Sequence, residues 1–155
     1  MNLPSSASEL MLGTQAVLPE WIDYNGHMNV AYYVLAFDQG VDELMQQIGI
    51  TPEYLASEKS STFTLEMHIN YLQELHLGDP LRLTCQLLDA DTKRVHYFLK
   101  MFNPEKEYLA ATSEQIIPVT MPIARTSENP LIESVPNAYR TTVATSVVRL
   151  ASMIV

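Results

Sequence analysis

The chain has 155 residues, 47% hydrophobic and 17% charged, enough for one domain with a sizeable core and too few for a second. Its formal net charge is -9, and residues 1–58 carry eight acids and no Lys or Arg, a surface that repels nucleic-acid phosphates. No apolar run approaches the ~18–20 residues of a membrane span, the first residues lack a signal-peptide pattern, and a lone Cys85 allows no internal disulfide, so neither nucleic-acid nor membrane partners are expected and the cytoplasm is.

In chain order, residues 9–18 read as a strand with loose alternation, and Gly13 points to a bulge or a close approach. Pro19-Glu20 ends it. Asp23–Gly26 forms a turn, with Asn25-Gly26 supplying easy positive φ. Asn29 is a good N-cap for a helix running to about Ile48, closed by Gly49. Val30, Val34, Phe37, Val41, Leu44, Met45 and Ile48 recur at helical spacing. The first two turns are apolar almost all round, which predicts deep burial of that end. Gly40 in mid-helix predicts close packing. Thr51-Pro52 starts a second, short helix through Ala56.

From Thr62 the period changes to two: Thr62, Thr64, Glu66, His68 and Asn70 alternate with Phe63, Leu65, Met67, Ile69 and Tyr71, a strand of about ten residues. Leu81–Leu88, Arg94–Phe102 and Glu107–Thr120 follow as strands joined by tight turns, an antiparallel meander. After Pro122 the prolines break the pattern, and only Ala138–Ile154 has the makings of a helix. The predicted architecture is α+β, one long central helix packed on a five-stranded antiparallel sheet over residues 1–121, with residues 122–155 a C-terminal extension. One helix cannot cover such a sheet and its edges, so a homodimer or dimer of dimers is expected.

The segment D-Y-N-G-H-M-N-V-A-Y-Y resembles the D-x-x-G-H-x-N-x-x-Y signature of hotdog-fold acyl-CoA thioesterases of the 4-hydroxybenzoyl-CoA thioesterase type. Strand, helix and four further strands follow that fold's order. M-H-I-N-Y-L with the later G-D-P-L resembles its second strand and following turn. A narrower likeness runs through E-M-H-I-N-Y-L-Q-E-L-H-L-G-D-P-L-R-L and Q-L-L-D-A-D-T-K-R-V-H-Y-F, which are similar to betainyl-CoA thioesterases of carnitine breakdown. The resemblance covers residues 8 to 121 and implies a hotdog fold, an acyl-CoA substrate and no cofactor.

Thioester hydrolysis needs a nucleophile or a base for water, and donors for the tetrahedral oxyanion. The resemblance makes Asp23 the attacking or water-activating carboxylate; as bare sequence it is a turn former. Backbone N–H groups around Asn29, Val30 and Ala31 open the helix and have no intrahelical partner. His27 is a candidate to bond the carboxylate or the carbonyl, Asn29 serves as cap or site residue, and Tyr33 is a candidate substrate contact. Glu66, His68 and Asn70 share one strand face, solvated or lining a cleft; the resemblance, in which this strand lies beside the partner's helix start, implies Glu66 as a second catalytic carboxylate, with His68 and Asn70 positioning the substrate. His76 and His96 carry no assignment. The histidines lack metal-ligand spacing and no G-x-S-x-G occurs. A cationic acyl group would suit the acidic first third and the aromatic faces of Trp21, Tyr24, Tyr32, Tyr33 and Tyr71. Two rival readings remain: a hotdog hydratase-dehydratase acting on enoyl or hydroxyacyl thioesters, and a non-catalytic acyl-CoA binding module.

Overall fold

In the computed structural model, which describes residues 9–91 and 94–118, the two periodicities separate as the sequence predicts. The elements are β1 (Leu10–Ala16), a 3₁₀ turn (Pro19–Trp21), α1 (Val30–Gln47), α2 (Pro52–Ser57), β2 (Glu66–Tyr71), β3 (Pro80–Ala90), β4 (Arg94–Asn103) and β5 (Tyr108–Pro118). The strands form one antiparallel sheet in the order β1-β3-β4-β5-β2, so the meander β3-β4-β5 is the centre and β1 and β2 are the edges. This is the hotdog arrangement of one long helix on five antiparallel strands. The C-terminal extension, with its expected helix at 138–154, lies outside the described residues.

The helix ends are chemically defined. Asn29 Oδ1 accepts the Ala31 N–H at 2.9 Å, and Gly49 follows the last turn at φ +84°, a conformation that favours glycine. At α2, Thr51 Oγ1 accepts the Tyr54 N–H at 3.2 Å, with Pro52 in the first turn. Gly13 sits where the β1–β3 register shifts, and its N–H donates to Glu43 Oε2 of α1 at 2.5 Å. That carboxylate holds the bulge against the helix.

Which sheet face meets α1 follows from one cross-strand row. Leu83, Met101, Ala111 and Tyr71 lie side by side on β3, β4, β5 and β2. A Cβ on Gly40 would come 2.7 Å from Leu83 Cδ1, the close packing that a mid-helix glycine predicts. Ala36, Phe37, Leu44, Leu83, Leu99 and Met101 are all buried between helix and sheet. A large side chain of this kind contributes roughly 1.5–3 kcal/mol by leaving water.

Two expectations are corrected. The strand from Thr62 is six residues long, not ten. Glu66 pairs with Ile116, so Thr64 would stand opposite Pro118, which has no N–H to continue the ladder. The first two turns of α1 are not deeply buried: Val30 is 55% exposed, Leu35 39% and Val34 37%. The sheet covers only one side of the helix there, and the apolar residues on the other side face outward.

Candidate active site

The loop between the 3₁₀ turn and α1 is fixed by its own backbone before any side chain acts. Trp21 is buried and stacks on Tyr32 of the first helical turn, ring centroids 5.6 Å apart and 15° from parallel. Asn29 N–H donates to Trp21 O at 2.8 Å, Asp23 N–H to His27 O at 3.1 Å, and Gly26 N–H to Asp23 O at 3.0 Å. Gly26 takes φ +83°, so the chain reverses tightly and Ile22 bridges Met28. Asp23 and His27 therefore face each other across the neck of a five-residue turn.

The Asp23 carboxylate uses one oxygen to steady this turn: Oδ1 accepts the Asn25 N–H at 2.8 Å. Among the described residues Oδ2 has no partner. The turn-forming role thus falls on one oxygen of the residue and leaves the other open.

The helix N-terminus offers less than the sequence implies, and is more specific for it. Of the three N–H groups expected there, that of Asn29 is taken by Trp21 O and that of Ala31 by Asn29 Oδ1. Tyr32 N–H bonds Asn29 O at 3.0 Å. Among the described residues, Val30 N–H alone in this first turn lacks an acceptor. It lies at the positive end of the helix dipole and beside an exposed side chain, a geometry suited to a developing negative charge. Asn29 is the cap that turns the other donors away.

Tyr33, the expected substrate contact, is buried within the chain. It is 5% exposed, stands edge-on to Tyr71, and its hydroxyl is engaged by the segment that follows β2. The hydroxyl accepts the Leu75 N–H at 3.1 Å and faces Gln73 O at 3.4 Å. Burial is the main reason its phenol titrates above the usual tyrosine range, with the Leu75 bond acting the other way. A buried, neutral, doubly engaged hydroxyl is a structural tie.

The segment it ties, residues 72–79, carries the resemblance in sequence but no assigned site residue. Its backbone bonds to four neighbours: Leu72 and Gln73 N–H to Ala110 O, Leu75 O from Met28 N–H at 2.7 Å, Glu74 O from Tyr108 Oη at 2.6 Å, and Gly78 N–H to Val17 O. It works as a strap from sheet to loop. Asp79 at its end is 8% exposed; burial opposes its charge, but Lys106 Nζ at 2.7 and 2.9 Å and the His76 N–H at 3.0 Å outweigh that and hold it below the usual carboxylate range. His27 comes against this strap, its Nε2 3.8 Å from Glu74 Oε1.

Glu66, His68 and Asn70 are not brought to the loop within one chain. Tyr71, Ile69 and Met67 carry the helix-facing parity of β2, so the polar row points to the other face of the sheet. There His68 lies opposite Glu114 and Asn70 opposite Thr112, and all three residues of the row are exposed. The same face holds His96, whose Nε2 bonds Glu114 Oε1 at 2.7 Å.

With this geometry in hand, the comparisons with known proteins converge. The model of the thioesterase-like superfamily matches residues 17–130. The chain is 41% identical over 101 residues to the betainyl-CoA thioesterase of Pseudomonas aeruginosa, covering 65% of this chain and 64% of that protein. It is 38% identical over 104 residues to the L-carnitine dehydrogenase/betainyl-CoA thioesterase of Ruegeria pomeroyi, covering 67% of this chain and 21% of that one. The match thus spans a little under two thirds of the first relative and about a fifth of the second. Among solved structures, a Staphylococcus aureus protein in complex with CoA aligns with TM-score 0.73 and 29% identity, over 83% of this chain and 88% of its own. A candidate thioesterase of Pseudomonas putida KT2440 aligns with TM-score 0.72 and 33% identity, over 84% and 90%.

Proposed function

Because the chain belongs to the thioesterase-like superfamily, we propose that it hydrolyses a small acyl-CoA thioester to the free acid and CoA, with betainyl-CoA as the substrate. The observation that carries the reading is the division of labour in the loop: a carboxylate oxygen of Asp23 and the N–H of Val30, both without partners among the described residues, in one backbone-fixed turn. Asp23 Oδ2 either attacks the thioester carbonyl carbon, forming an anhydride that water then hydrolyses to the free acid, or takes the proton of the water that attacks that carbon. The oxygen that becomes the oxyanion accepts the Val30 N–H. The C–S bond then breaks, and the CoA thiolate takes a proton from solvent in the first route and from the Asp23 carboxyl in the second. A preorganised oxyanion donor is worth on the order of 10²–10³ in rate.

The acyl group is read from two supports. The first is the identity to proteins named for betainyl-CoA. The second is the absence of Lys and Arg up to residue 58, with the 96%-exposed Tyr24 and the half-buried Tyr32 as aromatic faces for a quaternary ammonium. The working unit is a homodimer in the cytoplasm: β2 is an open edge strand, and Val30, Val34 and Leu35 leave an apolar stripe on α1 beside the site. Glu66, His68 and Asn70 enter such a mechanism only by contact with another copy.

The test is a panel of acyl-CoA thioesters followed by thiol release, run on wild type and Asp23→Asn together. Hydrolysis of betainyl-CoA should exceed that of the neutral isostere 4-methylpentanoyl-CoA, and Asp23→Asn should lose at least about 100-fold in kcat. Undiminished turnover in the variant removes Asp23 from the chemistry, and equal rates on the two esters remove the cationic acyl group.

A further inference from the structure

Beside the loop, acids and bases alternate along one line. His27 Nε2 is 3.8 Å from Glu74 Oε1, Glu74 Oε2 is 3.8 Å from His76 Nε2, His76 Nδ1 is 3.8 Å from Asp79 Oδ2, and Asp79 Oδ1 is 2.7 Å from Lys106 Nζ. Two features make Glu74 the pivot. Its backbone cannot drift: its carbonyl is bonded by the Tyr108 hydroxyl, and its neighbours Gln73 and Leu75 are bonded to Ala110, Tyr33 and Met28. Its two carboxylate oxygens also go to different imidazoles, one of them on the loop. The other His27 nitrogen, Nδ1, faces Met28 O at 3.4 Å, and Met28 N–H is itself bonded to Leu75 O. Both edges of the His27 ring thus look at acceptors anchored to the same strap.

We propose that Glu74 is a positioning residue of this site, holding the His27 imidazole in its orientation over the loop, with His76 bracketing the carboxylate from the other side. The inference rests on the reading of the loop as a hydrolytic site, in which His27 adjoins Asp23 through the Asp23 N–H to His27 O bond. Glu74 has no reach into the chemistry of its own in this account; its effect passes through His27. The side chains are 31% and 64% exposed, so the pair is weakly coupled and its loss moves the rate by about fivefold and no more than about tenfold.

A double-mutant cycle in kcat, on His27→Ala, Glu74→Ala and both together, isolates that coupling. The expected pattern is a kcat about fivefold lower in Glu74→Ala with KM within about twofold, partial recovery in Glu74→Gln, and a double variant no slower than His27→Ala. Additive losses, or a slow Glu74→Ala beside a normal His27→Ala, overturn the proposal. A second measurement needs no turnover: the histidine ring C–H signals in NMR, with His27 assigned from His27→Ala. Glu74→Ala should displace the His27 and His76 signals and leave those of His68 and His96 in place. An unmoved His27 signal also overturns the proposal. Normal kcat in both His27→Ala and Glu74→Ala, with a displaced His27 signal in Glu74→Ala, would instead remove His27 from the chemistry and leave the positioning intact.

Discussion

Tyr33→Phe removes one oxygen from the interior and nothing else. The ring keeps its volume and its edge contact with Tyr71 at 5.3 Å, so no cavity larger than a hydroxyl is left. What disappears is the acceptor of the Leu75 N–H at 3.1 Å and the partner of Gln73 O at 3.4 Å. Gln73 is exposed and its carbonyl can turn to water. Leu75 is 0% exposed, and its N–H cannot. A buried donor left unsatisfied costs about 1–3 kcal/mol. Taking the middle of that range and a urea slope of about 1–3 kcal/mol per molar, the midpoint should fall by about 1 M with the slope unchanged. The titration is run at one fixed protein concentration, since a dimer's stability depends on it. The activity should fall with it, because Leu75 O holds Met28 N–H and, through it, the loop that carries Asp23 and His27. Tyr71→Phe serves as the comparison: its ring is 48% exposed and should lose little. A Tyr33→Phe midpoint within about 0.2 M of wild type would refute the strap as a tie.

Other changes separate stability from chemistry. Asn29→Asp keeps a capping oxygen for the Ala31 N–H and adds a charge the helix dipole favours, so melting should hold or rise slightly, while kcat falls because a carboxylate now sits beside the Val30 N–H; a variant as active as wild type would count against Val30 as the oxyanion donor. Asp79 titrates below its unfolded value of about 3.9, so its stabilisation is full above about pH 4 and is lost as pH falls through the lower folded value. Lys106→Met raises that folded value and should move the acid-unfolding midpoint to higher pH, followed by circular dichroism; an unmoved midpoint would show the Lys106 contact to be idle. Val34→Glu places a charge in the exposed apolar stripe of α1 and should give a monomer in sedimentation equilibrium with little activity; a dimer of wild-type activity would assign the stripe elsewhere.

Much of the fold is legible in the sequence because local rules and the global structure agree. Asn29, Thr51 and Gly49 mark helix ends by chemistry that acts within three residues, and the period-two strands from Leu81 to Pro118 need only their turns to pair. Asp23 and the helix start are legible for the same reason, since turn and cap are local. What the sequence leaves open depends on contacts far along the chain. That Val30, of the three expected donors, alone lacks an acceptor among the described residues follows from the capture of Asn29 N–H by Trp21 O and of Ala31 N–H by Asn29 Oδ1. The strap is built from partners separated by 34 to 61 residues, from Tyr108 and Glu74 to Val17 and Gly78. The signal was present as E-L-H-L-G-D, an acid, an imidazole and an acid at spacings two and three, but spacing in an irregular segment fixes no direction for a side chain.

The burial of the helix start shows why pattern alone could not finish the site. Apolar residues all round a helix predict burial on all sides, and that rule holds for the complete molecule in solution, not for a single chain. The sheet covers the side of Tyr33, Ala36 and Phe37, while Val30, Val34 and Leu35 stay outside. An exposed stripe of this kind, beginning at the residue whose N–H has no acceptor among the described residues, means that whatever covers the stripe also closes over the candidate oxyanion donor. In the proposed homodimer, water exclusion at that donor and association of the chain are one event. A variant that blocks association should therefore lose rate in proportion to the dimer lost, even with Asp23, His27 and Glu74 all in place.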